Sequence, residues 1–255
     1  MRARRSPFAC AAFIAATWWT SRAVAAPPAE TPPPVPPSDH AYQTWLAAFV
    51  HGPLHGRLWL WNDAHVRLYE SFAPSAILLR PGLSFQALPS LFATVGYAWT
   101  PSWARGDDDE LTFTDEHRAW QQLIWAPRND QTGAAAMFRG RLEQRFRPAS
   151  GSEVGLRGRV LWRGQVPLSA QHPLIFVLWD ELFVGLHDTD WGQRRGVDQN
   201  RVFVGVGWQV RPTVVRIEVG YTNVWLSRPG ADPVNHIFAI NTFLGWPPRS
   251  QPRPR

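Results

Sequence analysis

Lysine is absent from this 255-residue chain, so all 26 basic residues are arginine. Cysteine occurs once, at Cys10, and tyrosine only 4 times beside 15 Trp and 14 Phe. A single cysteine excludes a disulfide scaffold and any site built from several thiolates. Only 18% of residues are charged. Residues 38–246 hold no run of about 18 uncharged apolar residues, which argues against transmembrane helices there. Glycine-rich phosphate loops, zinc-ligand spacings and nucleotide motifs are missing too. No cofactor or metal is therefore expected. With 45% apolar residues the chain is too hydrophobic for full disorder.

The basic isoelectric point comes from the ends of the chain. Arg2, Arg4, Arg5 and Arg22 lie near the start, and Arg249, Arg253 and Arg255 near the finish. Between Ser38 and Trp246, 19 arginines face 19 carboxylates. That neutral body lacks a basic footprint for nucleic acid.

Residues 1–26 have the three parts of a secretory signal peptide: a charged start (Arg2, Arg4, Arg5), an apolar stretch Pro7–Trp19, and small residues Ala23-Val24-Ala25 before a cleavage point. Cys10 would leave with this leader. Residues 27–37 contain seven prolines in eleven positions, so 27–39 is expected to be an extended spacer. Residues 247–255 are expected to be a disordered tail.

The body, 40–246, alternates with period two. Met137, Arg139, Arg141, Glu143, Arg145 and Arg147 share one face; Phe138, Gly140, Leu142, Gln144 and Phe146 share the other. Arg157, Arg159 and Arg163 alternate with Leu156, Gly158, Val160 and Trp162. Val202, Val204, Val206, Trp208 and Val210 form a third such face, and Val215, Ile217, Val219 and Tyr221 a fourth.

A soluble sheet would bury the apolar face, whereas a membrane barrel turns it to lipid and the polar face to the lumen. The barrel is favoured by an Arg/Glu-rich polar face, glycines inside strands, and Trp near strand ends. The expected fold is an all-β, transmembrane, antiparallel up-and-down β-barrel in the outer membrane; a soluble periplasmic β-domain is the alternative.

Strands are expected near 57–69, 76–87, 91–100, 113–125, 136–147, 153–163, 174–186, 199–210, 213–226 and 235–246. That makes ten. Residues 42–51 are either a plug or periplasmic segment, or one of two further strands in a barrel of twelve, since bacterial single-chain barrels carry even numbers. The long polar connections 101–112, 187–198 and 227–234 fall on one side, expected to be extracellular. The short connections 88–90 and 211–212 fall on the other, expected to be periplasmic.

Centring hairpins on their turns gives register. Glu143 then faces Arg157, Arg141 faces Arg159, Glu116 faces Arg145, Arg118 faces Glu143, Glu218 faces Gly205 and Arg216 faces Gly207. The expected lumen and candidate anion-binding residues are Glu116, Arg118, Gln122, Arg139, Arg141, Glu143, Arg145, Arg157, Arg159, Arg163, Glu181, Arg201, Arg216 and Glu218. Arg–carboxylate pairs would fill a small lumen, and the arginine excess would suit an anion.

The runs Glu116-His117-Arg118-Ala119-Trp120-Gln121-Gln122, Arg139–Phe146, Asp198-Gln199-Asn200-Arg201, Gly220-Tyr221 and Asn235-His236 resemble the bacterial family known as domain of unknown function 2490. The resemblance covers roughly 40–246. It implies an exported outer-membrane barrel of Gram-negative bacteria and carries over no catalytic residue. The proline-rich spacer and the residues after Trp246 are atypical of it.

The expected function is a non-catalytic outer-membrane barrel, either structural or a narrow anion or solute pore. Its partners would be outer-membrane lipid, the outer-membrane insertion machinery and a small anionic solute. The alternative is a membrane-embedded enzyme acting on lipid or lipopolysaccharide, with His187, Asp188 and Asp190 as the nearest acid–base cluster. The run Asp107-Asp108-Asp109-Glu110 offers oxygen ligands for calcium without an EF-hand spacing; a solvated loop is its ordinary role.

Overall fold

The period-two segments all become strands, because alternation lets one face of each meet the apolar exterior and the other the polar interior. The structure, a computed structural model, describes residues 40–105, 111–169, 171–211, 214–228, 230 and 232–246. The leader, the spacer, the tail and the 107–110 carboxylate run lie outside the described residues. The strands are β1 (His40–His55), β2 (Leu58–Tyr69), β3 (Pro74–Leu88), β4 (Leu91–Arg105), β5 (Leu111–Trp125), β6 (Ala135–Phe146), β7 (Gly155–Pro167), β8 (Leu174–Gly185), β9 (Gly196–Arg211), β10 (Val215–Leu226) and β11 (Val234–Gly245). They close into one barrel in sequence order, with β1 beside β11.

The count is eleven, neither ten nor twelve, and the reason is the closing seam. Every sequential pair is antiparallel, but β1 and β11 run parallel from His40↔Val234 to His51↔Gly245. Residues 42–51 are thus a wall strand rather than a plug. Parallel closure removes the need for an even number. It also puts the start of β1 and the end of β11 at opposite ends of the barrel, where an even number of antiparallel strands would bring both to one side.

Call the end holding the β4–β5, β6–β7, β8–β9 and β10–β11 connections the loop end, and the other the turn end. Segments 56–57 and 89–90 are at the turn end, as is the longer 126–134 connection. Trp246 finishes the seam there. Its Nε1 donates to the Pro53 carbonyl at 2.8 Å, and its ring lies where a Cβ on Gly52 would stand.

Register follows the expected pairing in β6–β7, where Glu143 faces Arg157 and Arg141 faces Arg159. Two hairpins are displaced by two residues. Arg118 faces Arg145, and Trp120 faces Glu143. Glu218 faces Gly207, and Arg216 faces Gln209. The cause is turn geometry. In 126–134 the Asn129 side chain accepts from the amides of Gln131 and Thr132, and Gly133 takes φ +71°. The turn therefore centres beyond Asp130. In the second hairpin the Val214 amide donates to Arg211 O at 3.0 Å, which moves the centre one residue along. A two-residue slip keeps every side chain on its own face; a one-residue slip would not.

The inside–outside assignment holds throughout. Val160 is 66% exposed and Leu123 60%, while Glu143 is 1% exposed and Glu218 is fully buried. Large rings fill the lumen by lying on glycines. The Phe203 ring covers the cross-strand pair Gly205–Gly220; a Cβ on either would come within 2.6–2.7 Å of its Cζ. The Trp120 indole sits over Gly82 and Gly96 in the same way.

Candidate functional site

The lumen has two halves. Towards the turn end it is packed with rings. His51 stacks on Trp59 at 5.0 Å and meets Trp61 and Phe92 edge-on at 5.4 and 5.2 Å. Phe49 stacks on Phe243 at 4.7 Å. Towards the loop end lies a cavity of about 740 Å³, with Arg67, Arg157, Arg159 and Arg201 in its wall and Tyr69, Trp191 and Arg228 at its rim.

Each inward glutamate gathers several guanidiniums, while Asp63 has Arg80 alone at 3.3 Å. Glu143 accepts from Arg157 Nη2 at 2.6 Å and Arg159 Nη1 at 2.5 Å, with Arg118 and Arg141 at 3.8 Å. Glu116 accepts from Arg118 Nε at 2.6 Å and from Arg145 Nε and Arg147 Nε at 2.7 Å. Glu181 takes Arg139 Nη2 at 2.6 Å and Arg159 Nη2 at 2.8 Å. Nearer the turn end, Glu218 is held by Arg163 and by Arg216 Nε at 2.8 Å. Such bonds are short because both partners are ionised. Among the described residues eight arginines are buried against five carboxylates.

The surplus cations lean on other groups. Arg141 donates to Gln122 Oε1 at 2.6 and 3.0 Å and lies 4.7 Å above the Trp120 ring. Arg201 donates to Gln199 Oε1 at 3.0 and 3.1 Å, with its Cζ 5.0 Å from the Trp45 ring and 4.4 Å from that of Phe183. Arg67 lies 4.2 Å from the same Trp45 ring.

All fourteen residues expected in the lumen face inward. Glu116, Arg118, Arg145, Arg157, Arg159 and Arg201 line the cavity. Arg139, Arg141, Gln122, Glu143, Glu181, Arg163, Arg216 and Glu218 belong to the network beneath or around it. Trp45, Arg67, Asp63, Arg80 and Phe183 were missed. The alternation Asp63, His65, Arg67 inside 57–69 was a readable signal for three inward residues, Arg67 among them. Trp45 is hidden in the sequence because 42–51 stays open there between a plug or periplasmic segment and a further strand.

The connection 186–195 folds over the cavity mouth. Trp191 Nε1 donates to Glu153 O at 2.7 Å, and the guanidiniums of Arg145 and Arg147 lie 5.1 and 4.7 Å from its ring. Asp190 accepts from the Ser152 amide at 2.8 Å and from Glu153 N at 3.3 Å. The Ser152 amide, then that of Glu153, holds the Asp190 carboxyl below the ordinary aspartate range. His187 Nε2 is bonded with Val154 O at 2.9 Å, and Asp188 accepts the Arg195 amide at 2.8 Å. The three residues considered as an acid–base cluster thus each hold loop backbone.

Compared with known proteins, the chain matches the family described as "Protein of unknown function (DUF2490)" across residues 42–235. It belongs to that family. It is 31% identical over 172 residues to an uncharacterized protein of Methylorubrum extorquens, covering 67% of this chain and 72% of the relative. No solved structure matches. The DUF2490 match takes in the Glu116–Gln122, Arg139–Phe146 and Asp198–Arg201 runs. In this member those runs supply Glu116, Arg118, Gln122, Arg139, Arg141, Glu143, Arg145 and Arg201 to the charged lumen.

Proposed function

We propose that this DUF2490 protein is an outer-membrane β-barrel that admits small anions into an arginine-lined vestibule at its loop end. The observation that carries the reading is the reversed polarity of the wall. Outward positions on β4 to β7 and β9, Val95, Leu123, Leu142, Val160, Val204 and Val206, are all exposed and apolar, a surface of a kind that soluble monomers rarely leave in water. The strands run 12–16 residues, more than the roughly 9–11 a tilted strand needs to cross a bilayer.

This surface has amphipathic borders. At the turn end Trp125 stacks on Phe138 at 5.4 Å, Trp162 is the ladder partner of Phe138, and Trp208 stands exposed towards the same end of β9. At the loop end Tyr97 bonds with His117, Trp99 Nε1 donates to Asp115 at 2.6 Å, and Tyr221 bonds with His236 at 2.6 Å. Rings with one polar edge suit the headgroup level on both sides. Outer-membrane lipid and the outer-membrane insertion machinery are the partners this reading requires.

The arginine surplus favours anions over cations in the vestibule. The ring-packed turn-end half favours capture at the loop end over free passage. Two measurements test the reading: the protein should fractionate with outer membranes and run with heat-modifiable mobility, and in planar bilayers it should conduct weakly, with anions preferred. A protein recovered in the soluble periplasmic fraction would reject the membrane reading. Cation-preferring conductance would reject the vestibule reading.

A further inference from the structure

We propose that Arg67 and Arg201, set against Trp45, form a binding site for a doubly charged phosphoryl group. Of the other arginines around the cavity, Arg118, Arg145 and Arg147 lie on Glu116, Arg157 and Arg159 on Glu143, Arg80 on Asp63 and Arg228 on Asp198, while Arg194 and Arg195 belong to the 186–195 connection at its mouth. Arg201 has only the neutral Gln199. Arg67 has no carboxylate partner among the described residues, and its buried Nε has no hydrogen-bond partner there. Two guanidiniums sharing one ring in a half-open cavity, with Glu181 across the β8–β9 ladder from Arg201 but no carboxylate bonded to either among the described residues, are costly, and an incoming anion supplies the contact that the wall does not.

Both guanidiniums lie against the Trp45 ring, 4.2 and 5.0 Å from its centroid. A cation–π contact uses the face of the guanidinium and leaves N–H groups on its edge to donate: the edge of Arg67, and Nη1 of Arg201, whose Nε and Nη2 bond Gln199. Forked donors match phosphate oxygens bidentately, and a phosphate dianion balances both charges, where acetate or chloride balances one. The cavity of about 740 Å³ has room for a phosphate ester as well as the free ion.

The assignment deepens the vestibule reading and rests on it, but not on membrane location. The test is calorimetric titration of the detergent-folded full chain with inorganic phosphate, glycerol 3-phosphate and acetate. Both phosphates should bind, acetate at least about tenfold more weakly. Arg67→Gln and Arg201→Gln should each weaken phosphate binding about tenfold or more, and the double variant should abolish it. Arg128→Gln, at the turn end and more than half exposed, should leave it unchanged. Heat-modifiable mobility verifies folding of each variant; if Arg67→Gln does not fold, Arg67→Lys, which keeps charge but loses the fork, replaces it with the same expected weakening. Preference for glycerol 3-phosphate over the free ion would identify an ester as ligand, and the reverse would identify phosphate itself; either supports the site. No phosphate binding by the folded parent chain, equal binding of acetate, or unchanged binding in both arginine variants would overturn it. A protein absent from the outer membrane that still bound phosphate through Arg67 would keep this site and lose only the membrane reading.

Discussion

Arg141 and Arg159 face each other directly across the β6–β7 ladder. Like charges at directly opposed positions are unfavourable. The pair is tolerated because the two side chains diverge, Arg141 to Gln122 and the Trp120 face, Arg159 to Glu143 and Glu181. Glu143, two pairs further along the ladder, therefore neutralises charge on both of its neighbouring strands.

Glu143→Gln should be strongly destabilising. It removes the carboxylate shared by Arg157 and Arg159 and leaves buried guanidiniums without full compensation. Breaking a buried pair from one side costs about 3–5 kcal/mol. Urea unfolding of the barrel in lipid vesicles reads this directly. A loss below about 1 kcal/mol, the value of a surface pair, would mean the lumen is wet enough to screen the charges.

Gly96→Ala and Gly220→Ala should also destabilise, for steric rather than electrostatic reasons. The new methyl meets the Trp120 indole in one case and Phe203 Cζ in the other. Both rings are fully buried, so neither can swing into open space. Overpacking of this kind costs about 1–3 kcal/mol. Gly140→Ala is the contrast, because nothing lies within 4 Å of its added Cβ; its unfolding midpoint should stay near that of the parent.

How much of this was legible in sequence depends on the length scale of the signal. Facing is a property of single residues within a strand: alternation puts Arg139, Arg141 and Glu143 on one face of β6 and Arg157 and Arg159 on one face of β7, and the Arg/Glu-rich composition, the in-strand glycines and the Trp near strand ends make those faces the inward ones, as they are in the structure. Register depends on a turn. It was right where the turn is centred on Ser150, and displaced by two where the Asn129 side chain and Gly133 shift the hairpin centre. Closure depends on two strands at opposite ends of the sequence. No local pattern in Thr44–Phe49 announces a parallel partner in Phe238–Phe243, so the sequence leaves 42–51 open between plug and wall strand, and Trp45 unassigned with it.

The outward face offers its own test. Val204→Arg puts a guanidinium near the middle of β9, among Val202 and Val206. If lipid covers this face, the substitution should cost roughly 2–4 kcal/mol of folding free energy in vesicles. The same change on a face in contact with water would stay within about 0.5 kcal/mol.

The loop clasp should respond to acid in one direction. Asp190 is held below its unfolded value by the Ser152 and Glu153 amides. Its contribution is complete above the unfolded aspartate value of about 3.9 and fades as pH falls through the lower folded value. The Trp191 indole Nε1–H, donated to Glu153 O, is the reporter. Its NMR shift should be flat from neutral pH down to the ordinary aspartate range and move only below it. In Asp190→Asn that acid step should vanish. A step at higher pH, near the histidine range, would point to His187 instead.

The parallel seam makes a topological prediction. With eleven strands, β1 begins at the loop end and β11 finishes at the turn end. An epitope placed just before His40 and another just after Trp246 should therefore lie on opposite sides of the membrane. Antibody labelling of intact cells should reach only one of them, and permeabilised cells should show both. An even-stranded barrel would put both on the same side, so equal accessibility of the two epitopes in intact cells would mean that β1 does not close the wall against β11. Such a result would also remove Trp45 from its place in the lumen, because its position opposite Ala239 is set by that seam.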